Sequence, residues 1–219
     1  MNTIILFAEI LVIFGSLLIV KKLFNKEGML TWMAVASVLA NVITAKNATV
    51  LGLNTAIGSV MFASTFLATD IISECYGKQE AKRAVYFGLF GTLMLIISTQ
   101  IALLYKPSMI DYANGAMQTL FSLNLRISIS SAVMYFVANI ADVLLYNKIK
   151  EKTGEKLMWL RNNVSTILCN CLENFFFIFF AFVGIYSMKD ILIIALSTSV
   201  IEAIIGLCDT PFLYLAKKI

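Results

Sequence analysis

The chain has no histidine, only two prolines in 219 residues, and charged side chains at just 14% of positions. Without histidine there is no Ser–His dyad and no HExxH zinc site, and the usual nitrogen ligands of zinc and haem are missing. The sequence also lacks a GxxxxGK[ST] loop, so the chain does not hydrolyse ATP itself. A membrane aspartyl protease needs only carboxylates, yet neither a YD nor a GxGD pattern is present. No catalytic chemistry is expected, and no metal or other cofactor. The four cysteines, Cys75, Cys169, Cys171 and Cys208, fall in or at the ends of apolar runs. Cys169 and Cys171 are about 200° apart on a helix, which does not suit a shared ion, and the four read as small apolar fillers.

The shortage of charge goes with an excess of apolar residues. These make up 60% of the chain and mean hydropathy is +0.87, against about 45–50% apolar and about 25% charged in a soluble domain. About 20 apolar residues span a bilayer core. Runs of that kind predict seven transmembrane helices: Thr3–Val20, Met29–Ala45, Asn54–Tyr76, Val85–Tyr105, Leu125–Tyr146, Val164–Tyr186 and Ile191–Leu215. The expected fold is an all-α integral membrane protein without a soluble domain. The first run has no basic start and no small-residue cleavage site before Lys21, so it reads as a retained helix rather than a signal peptide.

A net charge of +4 implies no nucleic-acid partner, because the charges alternate by loop. Of the 17 Lys and Arg, all but Lys46, Lys106, Arg126 and Lys189 follow helices one, three, five and seven. The positive-inside rule then puts the amino terminus outside and the carboxyl terminus in the cytoplasm of a cell whose cytoplasmic membrane holds the chain.

Polar residues inside these spans are the candidate site. Glu173 and Glu202 lie near the centres of the last two runs, where an ionisable group costs roughly 2.5–3.5 kcal/mol and needs a partner, a cavity or a pathway. The plainer alternative is a pair of protonated carboxyls that serve packing alone. Thr166, Asn170, Glu173 and Asn174 are spaced to form one polar stripe on a helix otherwise rich in Phe. Asn41 must find a partner in lipid. Asp70 and Glu74 share a helix face one turn apart, as do Asn139 and Asp142. Glu74 is placed to pair with Lys78, Lys82 or Arg83 at an exposed helix end, with Asp70 one turn deeper. Arg161 and Asn162 open helix six, where an asparagine also serves as a cap. Asp209 precedes Pro211 in helix seven. Such an acidic core suits a neutral or cationic planar base better than an anion. Carboxylates accept adjacent N–H donors in pairs, and Tyr135, Phe136 and Phe175 are candidates to stack on a flat ring.

Four runs carry a family resemblance: ANVITAK (40–46), TDIISECYGKQEAKRAVYFG (69–88), WLRNNVST (159–166) and DTPFLY (209–214). Together they resemble the queuosine precursor transporter family over roughly Trp32 to the carboxyl terminus. The resemblance implies import of a 7-deazaguanine, such as preQ1, preQ0 or queuine, across the cytoplasmic membrane for tRNA modification salvage. It also implies a six-helix core, residues 29–219, similar in fold to the substrate-binding components of energy-coupling-factor transporters, with residues 1–28 a peripheral helix and basic loop. Substrate contact is expected from Asn41, Asp70, Glu74, Asn139, Asp142, Arg161, Asn162, Asn170, Glu173, Glu202 and Asp209. Two alternatives stay open, a substrate-binding subunit of an ATP-driven importer and a membrane protein that transports nothing. Partners are a purine-like base and the bilayer, with a homo-oligomer and a separate energising module left open.

Overall fold

The first helix, α1 (Asn2–Ile43), has 42 residues, about 63 Å of helix if straight and about twice the thickness of a bilayer core. It is not straight. Asn25 leaves helical geometry at φ 51° and ψ −134°, and the Asn2 side-chain amide donates to Thr49 O at 2.9 Å, just beyond the other end of the element. The two halves therefore run antiparallel, and the reversal falls in the Lys-rich segment between the first two expected helices. The computed structural model describes residues 1–121, 125–154 and 156–219; the side chains of 122–126 and 128, Arg126 among them, lie outside the described residues.

The segment expected as one helix from Asn54 to Tyr76 divides in two. Strands β1 (Asn47–Val50) and β2 (Leu53–Ala56) pair antiparallel with Val50 opposite Leu53 and Asn47 opposite Ala56. Leu51 and Gly52 both have positive φ, 53° and 80°, the pattern of a two-residue hairpin turn whose twist matches that of its strands. The helix α2 (Ser59–Cys75) follows. Hydropathy alone does not separate the hairpin from the helix, because Val50, Leu51 and Leu53 continue the apolar run.

After Gly77 at φ 91° come α3 (Lys78–Leu104), the short exposed α4 (Asn114–Phe121), α5 (Leu125–Thr153), α6 (Met158–Phe182) and α7 (Met188–Lys218). Helices α1, α3, α5, α6 and α7 are long and apolar enough to cross a membrane. With 17 residues, α2 measures about 26 Å and is the most enclosed helix. Nearly every residue from Ser59 to Ser73 is buried, Ser64, Thr65, Thr69 and Asp70 included. A helix ringed by other helices does not face lipid, which explains how α2 carries so many polar groups. Among the described residues five helices are thus of membrane-crossing length and hydropathy, α1 being folded back on itself at Asn25.

Close packing of α3 on α1 depends on glycine. A Cβ on Gly91 would lie 2.8 Å from Ala34 O, and Ser37 Oγ donates to Gly88 O at 2.9 Å. The first half of α1 packs on α7, with Phe14 edge-on to Phe212 at 5.4 Å. The basic segments gather at one end of the bundle. Lys26 meets Glu80 at 3.4 Å, Lys21 donates to Ala216 O, and Lys150 and Lys217 both reach Glu74. The hairpin, the amino terminus and the connection between α6 and α7 lie at the other end.

Candidate functional site

One face of α6 organises the bundle interior. Arg161, Asn162, Ser165, Thr166, Asn170, Glu173 and Asn174 are all buried. From first to last they cover about 20 Å along the helix axis. Exposed Phe175, Phe176 and Phe180 cover the outward side. Polar residues of α2, α5 and α7 meet this face at three levels and build a column along the bundle.

At the basic end stands Glu74. Its side chain is 1% exposed and takes Arg161 Nη2 at 2.8 Å, Lys217 at 2.8 Å, Lys150 at 3.2 Å and the Tyr146 hydroxyl at 3.1 Å. Arg161 is fully buried; its Nη1 also donates to Gly154 O and Lys156 O at 2.8 and 3.1 Å, and its guanidinium lies 5.5 Å from the Tyr146 ring. The expected partners Lys78, Lys82 and Arg83 are replaced by cations from three other helices. Helix direction explains the difference: α2 ends at Cys75 and the chain turns at Gly77, so the segment beyond it leaves the face on which Glu74 lies. Arg83 pairs with Glu80 at 3.5 Å instead. Glu74 and Arg161 thus pin α2, α5, α6 and α7 together at one end.

One turn deeper, Asp70, Asp142 and Asp209 converge from α2, α5 and α7, all of them fully buried. Asp70 and Asp142 lie carboxyl to carboxyl, and Ser165 is within hydrogen-bond reach of Asp142. Thr69 Oγ1 donates to Asp142 Oδ2 at 3.4 Å. Asn162 Nδ2 donates to Asp209 Oδ1, and Asn163 Nδ2 donates to Thr210 Oγ1 at 2.9 Å. The Arg-Asn-Asn run of α6 is therefore read residue by residue: Arg161 by Glu74, Asn162 by Asp209, Asn163 by Thr210. Around this level many buried polar atoms have no protein partner. They are both oxygens of Asp70, Oδ1 of Asp142 and Asn162, Oδ2 of Asp209, the Thr166 hydroxyl, and both ends of the Asn170 amide. Native interiors leave few such groups, and a cluster of them calls for an explanation. Asn139, expected with this group, is satisfied within the bundle by Thr65 at 3.4 Å and Tyr135 O at 3.0 Å.

Toward the other end Glu173 of α6 and Glu202 of α7 are both buried, near enough for their carboxyls to influence one another. Asn174 Nδ2 donates to Glu202 Oε2 at 2.7 Å, and Ser59 lies within hydrogen-bond reach of the same carboxyl. Above Ser59 opens a cavity of about 410 Å³ between the first half of α1, the hairpin and α7. Asn41 stands apart from the column. It bonds Ser37 O at 2.8 Å and accepts from Ser131 at 3.1 Å, so it joins α1 to α5. The suggested aromatic stackers are dispersed. Phe175 is exposed, Phe136 packs against Tyr86, and Tyr135 reaches toward Gly88 on α3.

Several members of the column lay outside the sequence expectation. Tyr146, Lys150 and Lys217 complete the Glu74 cluster, and Thr69 donates to Asp142. Position on a helix face was a usable signal for Tyr146 and Lys150, since Asp142, Tyr146 and Lys150 are successive turns of α5. Among the described residues, no group of three or more His, Cys, Asp or Glu is placed to hold a metal ion.

Comparison with known proteins adds the family. A family model described as "Putative vitamin uptake transporter" matches residues 56–216. A Bacillus subtilis (strain 168) protein named "Probable queuosine precursor transporter" is 34% identical over 196 residues, which cover 89% of this chain and 86% of that relative. A Haemophilus influenzae protein of the same name is 28% identical over 126 residues, covering 57% of this chain and 51% of the relative. No solved structure matches. The matched region holds the whole polar column from Ser59 to Asp209, and the chain belongs to this family of membrane transporters.

Proposed function

We propose that the chain imports a 7-deazaguanine precursor of queuosine, bound where Asp70, Asp142 and Asp209 meet Asn162, Thr166 and Asn170. The observation that carries the reading is the cluster of unpartnered polar atoms at that level. A guanine-like edge presents adjacent N–H donors beside a carbonyl. Carboxylate oxygens of Asp70 and Asp209 accept such donors, and the Asn170 amide offers one donor and one acceptor for the rest. A ligand amine compensates the negative charge of the Asp70–Asp142 pair, which a low-dielectric interior otherwise penalises. The names of two relatives at 34% and 28% identity support the same substrate class.

The basic end, with Lys21, Lys26, Lys150 and Lys217, faces the cytoplasm in this reading, and the amino terminus faces outward. The chain works in the cytoplasmic membrane without catalysis and without a separate ATP-driven module. The test is accumulation of labelled preQ1, preQ0 or queuine by cells unable to make or import the base and expressing only this chain. Accumulation is expected. Uptake that appears only when an ATP-driven module is added would replace this reading with that of a binding subunit, and no uptake in either case would sink it.

A further inference from the structure

The cavity at the outer end is not used by the site described above. It is lined by Asn2, Ile5, Leu6 and Glu9 of the first half of α1, by Lys46, Asn47 and Ala48 entering the hairpin, by Val50 and the segment Thr55–Ile57, and by Ser59 and Ile201 at its floor. Its volume of about 410 Å³ lies within the roughly 300–1,000 Å³ of small-molecule sites. Two features mark it as more than a packing gap. Glu9 is the sole charged residue of Met1–Val20, set two helical turns from the amino terminus in an otherwise apolar face, and its side chain lines the cavity. An acidic group at such a position is a functional expectation by default. At the floor, Ser59 both lines the cavity and reaches the Glu202 carboxyl, and Thr55 Oγ1 lies 3.5 Å from Ser59 Oγ. Ser59 therefore borders both the cavity and the Glu202 carboxyl.

We propose that this cavity is an outer receiving site for a small planar heterocycle bearing a cationic amine, with Glu9 holding the amine and the Ser59–Glu202 contact forming the passage to the buried column. The proposal rests on the transport reading above and extends it to a second, earlier station. Carboxylates then follow one another along the route, Glu9, Glu202 with Glu173, and the Asp70–Asp142–Asp209 group, so that a cation passes between acceptors of the same sign. Among the described residues the buried cations are Lys21 and Arg161, neither of which lines the cavity; Lys46 does line it and is exposed.

The experiment compares two precursors that differ in charge but share the bicycle: preQ1, which carries an amine, and preQ0, which carries a neutral nitrile. Uptake is measured in cells expressing the unaltered chain, Glu9→Gln, or Glu9→Asp. With Glu9→Gln the KM for preQ1 should rise about two- to fivefold, the scale of losing one partly solvated ion pair. Maximal velocity should hold, and preQ0 uptake should not change. Glu9→Asp should restore most of the preQ1 affinity, which a mere packing role for the longer side chain would not produce. Membrane abundance and monodispersity in detergent control for folding. Equal uptake of both bases by Glu9→Gln and the unaltered chain overturns the receiving site alone. So does an equal loss for both bases. Failure of the unaltered chain to import either base removes the transport reading and the receiving site with it.

Discussion

Replacing Glu74 with glutamine tests whether the basic end of the bundle is held by charge. In the folded protein the Glu74 side chain is 1% exposed and faces Arg161, itself 0% exposed, at 2.8 Å. Lys150 and Lys217 add contacts at 3.2 and 2.8 Å, but they are 25% and 42% exposed, so each contributes only about 0–1 kcal/mol. The Arg161 contact decides the outcome. Removing one partner of a buried pair leaves an unpaired buried charge and costs about 3–5 kcal/mol. For a chain of this length each kcal/mol lowers the midpoint by about 2–4 °C, so Glu74→Gln should unfold at least about 6 °C earlier in a detergent thermal scan. Lys217→Ala, which removes only the exposed arm, should shift the midpoint by no more than about 4 °C. Combining Glu74→Gln with Arg161→Met removes both charges and should recover part of the loss. Recovery stays incomplete because Arg161 also holds the carbonyls of Gly154 and Lys156. A Glu74→Gln midpoint no lower than that of Lys217→Ala would refute the reasoning.

Asp70→Asn should behave in the opposite way: no donor from the protein satisfies its oxygens, so the thermal midpoint should hold while uptake of labelled precursor is abolished. Wild-type uptake by that variant would remove Asp70 from the site. Glu173→Gln replaces a buried carboxyl acceptor on the proposed route; leaving a buried polar partner unsatisfied costs about 1–3 kcal/mol, a roughly five- to hundredfold weaker apparent affinity, checked by the concentration dependence of uptake at matched protein level. A reporter active only in the cytoplasm should work when fused after Ile219 and fail at the amino terminus, and the reverse pattern would overturn the proposed orientation.

The all-helical membrane character was legible because each long apolar helix needs its own apolar run, although five helices rather than seven have the length and hydropathy to cross. The polar stretch from Lys21 to Gly28, which separates the first two apolar runs, holds the reversal at Asn25. The hairpin was not legible. Asn47 to Ala56 alternates too weakly to contrast with the apolar helix after it, and its turn uses Leu51 at positive φ where Asn or Gly is usual. On α6 the polar stripe could be read from period alone, since Thr166, Asn170, Glu173 and Asn174 repeat at helical spacing. The partners of Glu74 could not. Spacing ranks neighbours on the same helix, and Arg161, Lys150 and Lys217 come from 87, 76 and 143 residues away. Asn41 shows the converse limit: its type and depth matched a site residue, and only its two bonds, to Ser37 and Ser131, place it in the α1–α5 contact.

Charge is segregated along the column, and this segregation limits what the column can carry. The buried cation Arg161 is committed to Glu74 at the basic end. Asp70, Asp142, Asp209, Glu173 and Glu202 are buried beyond it, and among the described residues none of them has a Lys or Arg within ion-pair distance. Their hydrogen-bond donors among the described residues are neutral, namely Thr69, Asn162 and Asn174. A phosphate or carboxylate entering such a lining would meet like charge in a medium that screens it poorly, whereas a flat base rich in N–H groups, or one carrying an amine, supplies the donors these oxygens lack. In the proposed function, selection against anions comes from this lining, before any single contact distinguishes one base from another. The same arrangement accounts for the position of the Glu74 cluster: concentrating buried positive charge at one end ties the helices together there and keeps it out of the route proposed for a cationic substrate.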